Sequence, residues 1–535
     1  MHPHSRRAIT ILFTTFAAAG RAQAASSITV TDTGDGTVND SLCTLREAIT
    51  AANSQASFDG CVFSGSGSPT TIAFAIPGSG VQTIDVGSQL PAIAVPVVID
   101  GLTQPGASCA AWPPTLLIQI SSPSNGQYNG LTLNPGSDGS TIRGLVINGF
   151  NNNQGYAYNF NAAINIYVSG GNRVECNFLG TLPDGTTAAA NLRGVDINSS
   201  SNNFIGSDGT AKSYVARNLI SGNQYGQVDT RGNALSGNRI SGNFIGTDVT
   251  GTAAMGGQGG AEGVDISANP GPASGNFVGW DGVGDPALMR NVISGFTGST
   301  LGGVNMVVGA QGNVVAGNYI GTDVTGTLAI PNFFGVELGS NSSVYNNIIG
   351  NTGAQNAAAA RNVISGNSFT GVDINAANGT HDNAVVGNYI GIGATGAPLG
   401  NGQYGISMEY ASANTLVARN WIAGQGTAIR FFGSGSFGGG STASFINNST
   451  GGNSNLPAID SRDNCVLGGT GVLVYAQGAN VPNPNTFANN WWGAGSGPNT
   501  AGASSADGSI AATPFLTVPA AVCDDTIFRN GFEGP

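Results

Sequence analysis

Between residues 164 and 408 an apolar-x-apolar triplet recurs every 31 to 40 residues. The eight copies are Ile164-Asn165-Ile166, Val195-Asp196-Ile197, Val228-Asp229-Thr230, Val264-Asp265-Ile266, Val304-Asn305-Met306, Val336-Glu337-Leu338, Val372-Asp373-Ile374 and Ile406-Ser407-Met408, and all but the first and third directly follow a glycine. Alternation with period two predicts a short strand at each copy. A repeat of this length built from strands predicts a solenoid, in which each turn buries its apolar side only by stacking on its neighbours. The middle residues then form one outward row, with Asp or Glu at five of eight positions.

A second repeated element is Asn followed two residues later by Ile, Val or Leu, as in Asn177-Phe178-Leu179, Asn218-Leu219-Ile220, Asn243-Phe244-Ile245, Asn276-Phe277-Val278, Asn291-Val292-Ile293, Asn318-Tyr319-Ile320, Asn362-Val363-Ile364 and Asn388-Tyr389-Ile390. Stacked strands place equivalent residues about 4.8 Å apart. The asparagines are therefore expected to hydrogen-bond from coil to coil as structural ladders. Phe178, Phe204, Phe244, Phe277, Tyr319 and Tyr389 recur beside them. If the flanking Asn and Ile face inward, Phe178, Phe244, Tyr319 and Tyr389 face outward and can stack on sugar rings. If a corner changes the parity, they form an internal aromatic ladder.

Ahead of the repeats, Ile28 to Val38 alternates like a strand. Ser41 to Asn53 predicts one helix, with Thr44 and Glu47 as a capping box and Leu45, Ile49 and Ala52 along one side. Such a helix would cover the open end of the stack, which otherwise invites pairing with other chains.

Composition places this body outside the cell. Arg6 and Arg7, the apolar run from Ile9 to Ala19, and Ala22-Gln23-Ala24 read as a secretory signal over residues 1–25. Without Arg6, Arg7 and Arg21, 14 of the 17 basic residues remain against 29 acidic ones, a charge near −15. A surface this acidic argues against nucleic acid or anionic membranes as partners. No later apolar stretch reaches membrane-spanning length. The chain is thus expected to be exported, to the extracellular space or the cell surface. In that setting Cys43, Cys61, Cys109, Cys176, Cys465 and Cys523 are disulfide candidates, with free buried thiols as the alternative. Position pairs Cys43 with Cys61 and Cys465 with Cys523 at the two ends, leaving Cys109 and Cys176. Closing the first loop would contribute roughly 3 kcal/mol.

Cys43-Thr44-Leu45-Arg46-Glu47-Ala48, followed by Ile49 to Asn53 and Cys61, resembles the Cys-Ser-Leu-Arg-Glu-Ala motif of the CSLREA family of bacterial exported domains, with Thr44 in place of Ser. Ile99 to Gly106 resembles the segment that often follows it. Gly317-Asn318-Tyr319-Ile320-Gly321-Thr322-Asp323, echoed at 242–248 and partly at 387–391, resembles repeats of the right-handed parallel β-helix domains attached to that motif. The resemblance spans most of the chain beyond the signal. It implies an all-β, right-handed parallel β-helix (β-solenoid) with an N-terminal capping helix, and it implies no activity. Asn489 to Gly493 with Gly497-Pro498 resembles a closing segment of such proteins, and Ile527 to Glu533 a short ending of secreted ones. The expected organisation is a CSLREA-like cap with first coils over 26–135, repeats over 136–440, C-terminal coils and a disulfide-closed cap over 441–523, and a tail over 524–535.

Chemistry would concentrate in the acidic row. In register, Asp196, Asp229 and Asp265 stand about 5 Å apart, where like charges repel by about 1 kcal/mol in water and several-fold more where solvent is excluded. A raised pKa, a bound cation with calcium as the candidate, or side chains splayed into water would each relieve this. Glu337 and Asp373 form a second adjacent pair. Paired carboxylates can cleave a glycosidic bond, which makes Asp196, Asp229, Asp265, Glu337 and Asp373 the catalytic candidates. Against this, no basic residue stands at any of the eight middle positions, and His381 is the only histidine near the row. The Gly-Thr-Asp segments at Asp248 and Asp323 read as turns. The leading expectation is a non-catalytic face that contacts polysaccharide or a cell-surface partner. The alternative is a polysaccharide hydrolase or lyase using the acidic row.

Overall fold

The computed structural model describes residues 25–432, except 124–126, 152–160, 258–260, 299–301, 340–343, 351–356, 377–379 and 411–414, and beyond them only 460–462, 465–467 and 474–477. The signal sequence, Cys523 and hence its pairing with Cys465, the closing segment at 489–498 and the tail lie outside the described residues.

Three long parallel sheets run the length of the body. The first has 13 strands, from Ser27–Val30 to Asp460–Arg462; the second has 12, from Gln82–Asp85 to Cys465–Leu467; the third has 11, from Leu131–Leu133 to Val474–Gln477. In the repeat region each coil contributes one strand to each sheet in turn, which makes the fold a right-handed parallel β-helix. The third sheet holds the triplets in unbroken register: Ile164, Val195, Val228, Val264, Val304, Val336, Val372 and Ile406 pair in succession. These eight side chains are fully buried in one continuous core. Each such aliphatic residue contributes roughly 1.5–3 kcal/mol by leaving water.

The glycine before most triplets has a steric origin. A Cβ on Gly263 would lie 2.3 Å from the Gly303 carbonyl oxygen of the next coil and 2.7 Å from Ile293 Cγ2. Gly194 and Gly335 face the same pair of obstacles. The backbone of one coil thus rests on the carbonyl of the next, leaving no room for a side chain.

Asparagine columns hold the corners. One runs Asn177, Asn218, Asn243, Asn291, Asn318, Asn362, Asn388, Asn420, each Nδ2 donating to the next Oδ1 at 2.9–3.2 Å. Most of these side chains also donate to a backbone carbonyl of the preceding coil, as Asn318 does to Val278 at 2.8 Å. Asn276 belongs to a different column, with Asn172, Asn203, Asn238, Asn313, Asn347 and Asn383. A third links Asn191 to Asn223 and later Asn332, Asn367 and Asn401. Where the coil after Asn223 carries Gly256-Gly257 instead of asparagine, Gln227 fills the place, its Oε1 accepting from Asn223 Nδ2 at 2.8 Å.

A longer period of two coils overlies the single-coil repeat. After Phe178, Phe244, Tyr319 and Tyr389 the chain makes a hairpin closed by Thr181↔Ala188, Thr247↔Ala254, Thr322↔Ala329 and Ile392↔Pro398. Each hairpin rests on the one two coils away: Val249 N donates to Gly185 O, Val324 N to Gly251 O and Ala394 N to Gly326 O, at 2.8–2.9 Å. Asp248 and Asp323 close these turns by accepting from Thr250 and Thr252 and from Thr325 and Thr327.

The helix spans Leu45–Ser54, shorter at its start than Ser41 because Thr44 is the N-cap and forms the capping box with Glu47. Ser41 sits in the left-handed region with φ 68°, outside the helix. Leu45, Ala48, Ile49, Ala51 and Ala52 join the main core. Cys43 is bonded to Cys61, and Cys109 to Cys176; the latter pair, which position alone left unassigned, ties the loop after the Gly101–Thr103 turn to a corner two coils on.

Asn318 tests the column. Replacing it by Ala removes its donations to Val278 O and Asn362 Oδ1 and the Oδ1 that accepts from Asn291 Nδ2, cutting the column in both directions. Asn318→Ala is expected to lower stability by about 2–4 kcal/mol, read as a shift of the urea midpoint without loss of the β-type circular dichroism spectrum.

Candidate functional site

The outer face of the third sheet carries the row predicted from the triplets. Asn165, Asp196, Asp229, Asp265, Asn305, Glu337, Asp373 and Ser407 are register partners in that order, and Arg430 follows Ser407. Ile429-Arg430-Phe431 is thus a ninth copy that the sequence pattern missed, and it places a cation on the row. The strand alternation that buries Val195 and Ile197 turns Asp196 to the other face.

The row is on the outside of the coil but it is not a solvated stripe, which corrects the expectation of side chains splayed into water. Asp196 is fully buried, and Asp229, Glu337 and Asp373 are at most 5% exposed; Asp265 is partly buried. Neighbouring side chains cover it. Arg231, two residues after the row position on the next coil, clamps Asp196: its Nε donates to Oδ1 at 2.6 Å and its Nη2 to Oδ2. Arg193, three residues before the row position, donates from Nε to Asp229 Oδ2. Both cations come from positions flanking the triplets, so a reading confined to the middle residues could not find them. Aligning the third residue before the row finds Arg193, in the run Arg193, Gly226, Glu262, Gly302, Phe334, Thr370, Tyr404, and aligning the second residue after it finds Arg231. Gly226 is empty for a reason, since a Cβ there would stand 1.8 Å from Asp229 Oδ1.

Repulsion within the run is relieved unevenly. Asp196 is held by Arg231. Burial pushes the Asp229 carboxyl up, against the pull of Arg193 and with the push of Asp196. Burial and then Asp229 push Asp265 up to about 8, while its hydrogen bond from Ser267 Oγ, 3.1 Å long, offsets only part of this. Glu262, raised well above its ordinary value by burial and by Asp265, accepts from Asn305 Nδ2 at 2.5 Å. Protonation among Asp229, Asp265 and Glu262 therefore relieves charge that the two arginines leave uncompensated. Oδ1 of Asp229 and of Asp265 are buried without a hydrogen-bond partner. Among the described residues no group of three or more His, Cys, Asp or Glu is arranged to hold a metal ion, and Arg193 and Arg231 supply the countercharge that calcium would have brought.

The aromatic candidates sit elsewhere. Phe178, Phe244, Tyr319 and Tyr389 share one row of the second sheet with Leu219, Val292 and Val363. The flanking asparagine and isoleucine do face inward, so the rings point out of the coil, yet all four are at most 5% exposed. The hairpins described above cover them, together forming a second apolar cluster. They cannot stack on a sugar in this state. Phe204 and Phe277 occupy the first sheet instead, where Arg239 lies over both rings at 5.2 and 5.3 Å.

Partly exposed rings do border the acidic row, at positions the sequence did not single out. Phe333 stacks on Phe369 with centroids 5.0 Å apart, and Phe369 meets Phe334 and Tyr404 edge-on at 5.8 and 5.7 Å. Phe334 and Tyr404 stand three residues before Glu337 and Ser407 of the row. Tyr225, 42% exposed, lies beside Arg193 at 6.0 Å. His381, away from this face, stacks on Tyr345 at 4.9 Å.

No family model and no curated protein matches the chain. Among solved structures it is similar to a mutant of the periplasmic alginate epimerase AlgG, at 13% identity over 76% of each chain with TM-score 0.33. It is also similar to the A-module of the Azotobacter vinelandii mannuronan C-5 epimerase AlgE4, at 12% identity over 90% of this chain and 95% of that one with TM-score 0.22. PfbA, a surface adhesin of Streptococcus pneumoniae, matches at 13% identity over 76% of this chain and 88% of that one with TM-score 0.27.

The raised Asp265 carboxyl has a signed consequence for stability. Its pKa in the folded chain, about 8, lies above the ordinary 3.8. Its contribution is therefore complete below about pH 4 and is lost as pH rises toward 8, by up to about 1.4 kcal/mol per pH unit. Urea unfolding at pH 5 and pH 8 is expected to show wild type losing stability relative to Asp265→Asn across that interval. A constant difference between the two would contradict the assignment.

Proposed function

We propose that this protein is an exported β-helix whose third-sheet face contacts polysaccharide without cleaving it. The observation that carries the reading is the partly exposed aromatic border, Phe333, Phe334, Phe369 and Tyr404, running beside a row of hydrogen-bonding groups along one face. Rings at coil spacing offer apolar platforms to the faces of successive sugars, and the covered row beside them, at most 5% exposed at Asp196, Asp229, Glu337 and Asp373, holds this face in a fixed geometry. The two disulfides and the signal-like first 25 residues support export, and the CSLREA-like segment supports a bacterial cell-surface setting. Asp196 and Asp229, each engaged by an arginine, act in this reading as fixed acceptors that set the row's geometry.

A second reading, hydrolysis, is favoured by one specific observation. Asp265 retains its proton near neutrality while Asp196, two coils away in the same row, is ion-paired with Arg231, and a protonated carboxyl group and an ionised one on the same face can serve as acid and base. Depolymerisation of any polysaccharide that disappears on joint replacement of Asp196, Asp229 and Asp265 by Asn would decide for it.

The contact reading is tested on a panel of immobilised plant and bacterial polysaccharides. At least one is expected to bind, and Phe369→Ala with Tyr404→Ala is expected to weaken that binding about tenfold or more, each ring contributing roughly 0.5–1.5 kcal/mol. Absence of binding across the panel, or binding indifferent to both substitutions, would remove the proposal.

A further inference from the structure

We propose that a second site, a pocket beside Arg217 on the flank of the second sheet, binds a small organic carboxylate through the guanidinium fork of that arginine. The pocket has a volume of about 220 Å³ and is lined among others by Lys212, Tyr214, Val215, Arg217, Gly242 and Leu288. That is below the roughly 300 Å³ at which pockets for drug-sized ligands begin, so the occupant is one small molecule or a single residue of a chain.

The argument starts from a repeated device. Arginines precede the asparagine column on alternate coils, at Arg217, Arg290 and Arg361, and each lies over the ring of the next coil: Phe244 at 4.2 Å, Tyr319 at 4.5 Å and Tyr389 at 4.2 Å. The two later rings are tyrosines, and Arg361 hydrogen-bonds to the phenolic oxygen of Tyr389. The first ring is phenylalanine and brings none. Arg217 donates from Nε to the Gly242 carbonyl at 3.1 Å, and among the described residues it has no carboxylate partner. Trp112, 5.3 Å away, packs beside it against Phe244. Burial lowers its pKa to about 10 with no anion to oppose the shift.

The carboxylates nearby are already committed. Glu175 accepts from Lys212, from Tyr214 at 2.5 Å and from Arg173 at 3.3 Å. Asp208 accepts from Arg173 at 2.7 Å and Asp100 from Arg143 at 2.6 Å. Arg143, Arg173, Lys212 and Arg217 thus face three acids, leaving one positive charge beside the pocket. A single charge matches a monoanion, and the guanidinium fork matches the two oxygens of a carboxylate. Val215, Leu288 and the nearby alanines accommodate its carbon skeleton. This site is separate from the third-sheet face and stands whether or not that face binds sugar.

Calorimetric titration with acetate, D-glucuronate and inorganic phosphate tests it on wild type, Arg217→Gln and Phe244→Tyr. The last variant restores the phenol found on the later coils, where Gly326 admits a tyrosine as Gly251 would here. One or both carboxylates are expected to bind saturably to wild type, and at least tenfold more weakly to each variant. Retained circular dichroism of Phe244→Tyr separates lost binding from lost fold. No saturable carboxylate binding, equal affinity in Arg217→Gln, or phosphate binding as tight as the carboxylates would overturn the proposal.

Discussion

The side-chain amide of asparagine, repeated at the same corner of each coil, is the interaction on which this body depends. An open stack of parallel strands satisfies its backbone within each sheet but leaves carbonyls and N–H groups unpaired where the chain turns. Asn has one acceptor and two donors on a short stem. That suffices to donate to a carbonyl of the preceding coil and to the amide oxygen of the next, and to accept from a backbone N–H of the preceding coil. The column from Asn177 to Asn420, whose members repeat these bonds, is thus a continuous polar wire inside the wall, shielded from water. Gln227 makes the point chemically. Where the next coil has only glycine at the corner, an amide from four residues further along the same coil completes the column.

With the corners secured internally, the outer faces are free to vary, and the chain uses each differently. The second sheet is roofed by hairpins that stack on every second coil, and the rings beneath them become a second core. The first sheet carries a mesh of arginine, carboxylate and aromatic groups. The third sheet carries the buried polar row and its border of exposed rings. One backbone rule thus supports three unlike surfaces.

This division explains what could be read from the sequence. The triplets reported the third sheet in correct register because period two and a fixed spacing are properties of the chain alone. Thr44 and Glu47 reported the cap helix for the same reason, since a capping box is local. The two-coil hairpin period was hidden because Leu219, Val292 and Val363 alternate with aromatic residues at one position, and single-coil alignment blurs them together. The burial of Phe178 and Phe244 depends on Val249 and Val324 arriving from hairpins on other coils, which no pattern around the rings announces. Asn276 and Asn177 share a motif yet occupy different corners, because Asn-x-Ile is what any corner of this kind requires.

The acidic row shows the same logic carried into chemistry. Three carboxylates one coil apart cannot all be ionised in a covered position without countercharge. The chain supplies two arginines for the first two, from the flanking positions 193 and 231, and none of comparable proximity for the third. A proton is the remaining means of neutralisation, and Asn305, uncharged, ends the run on the next coil. In the sequence of relief along the stack, arginine, arginine, proton, amide, the two arginines are residues that the triplets do not contain. The covered row therefore keeps a fixed hydrogen-bonded geometry, with the first two carboxylates matched by arginine and the third by a proton.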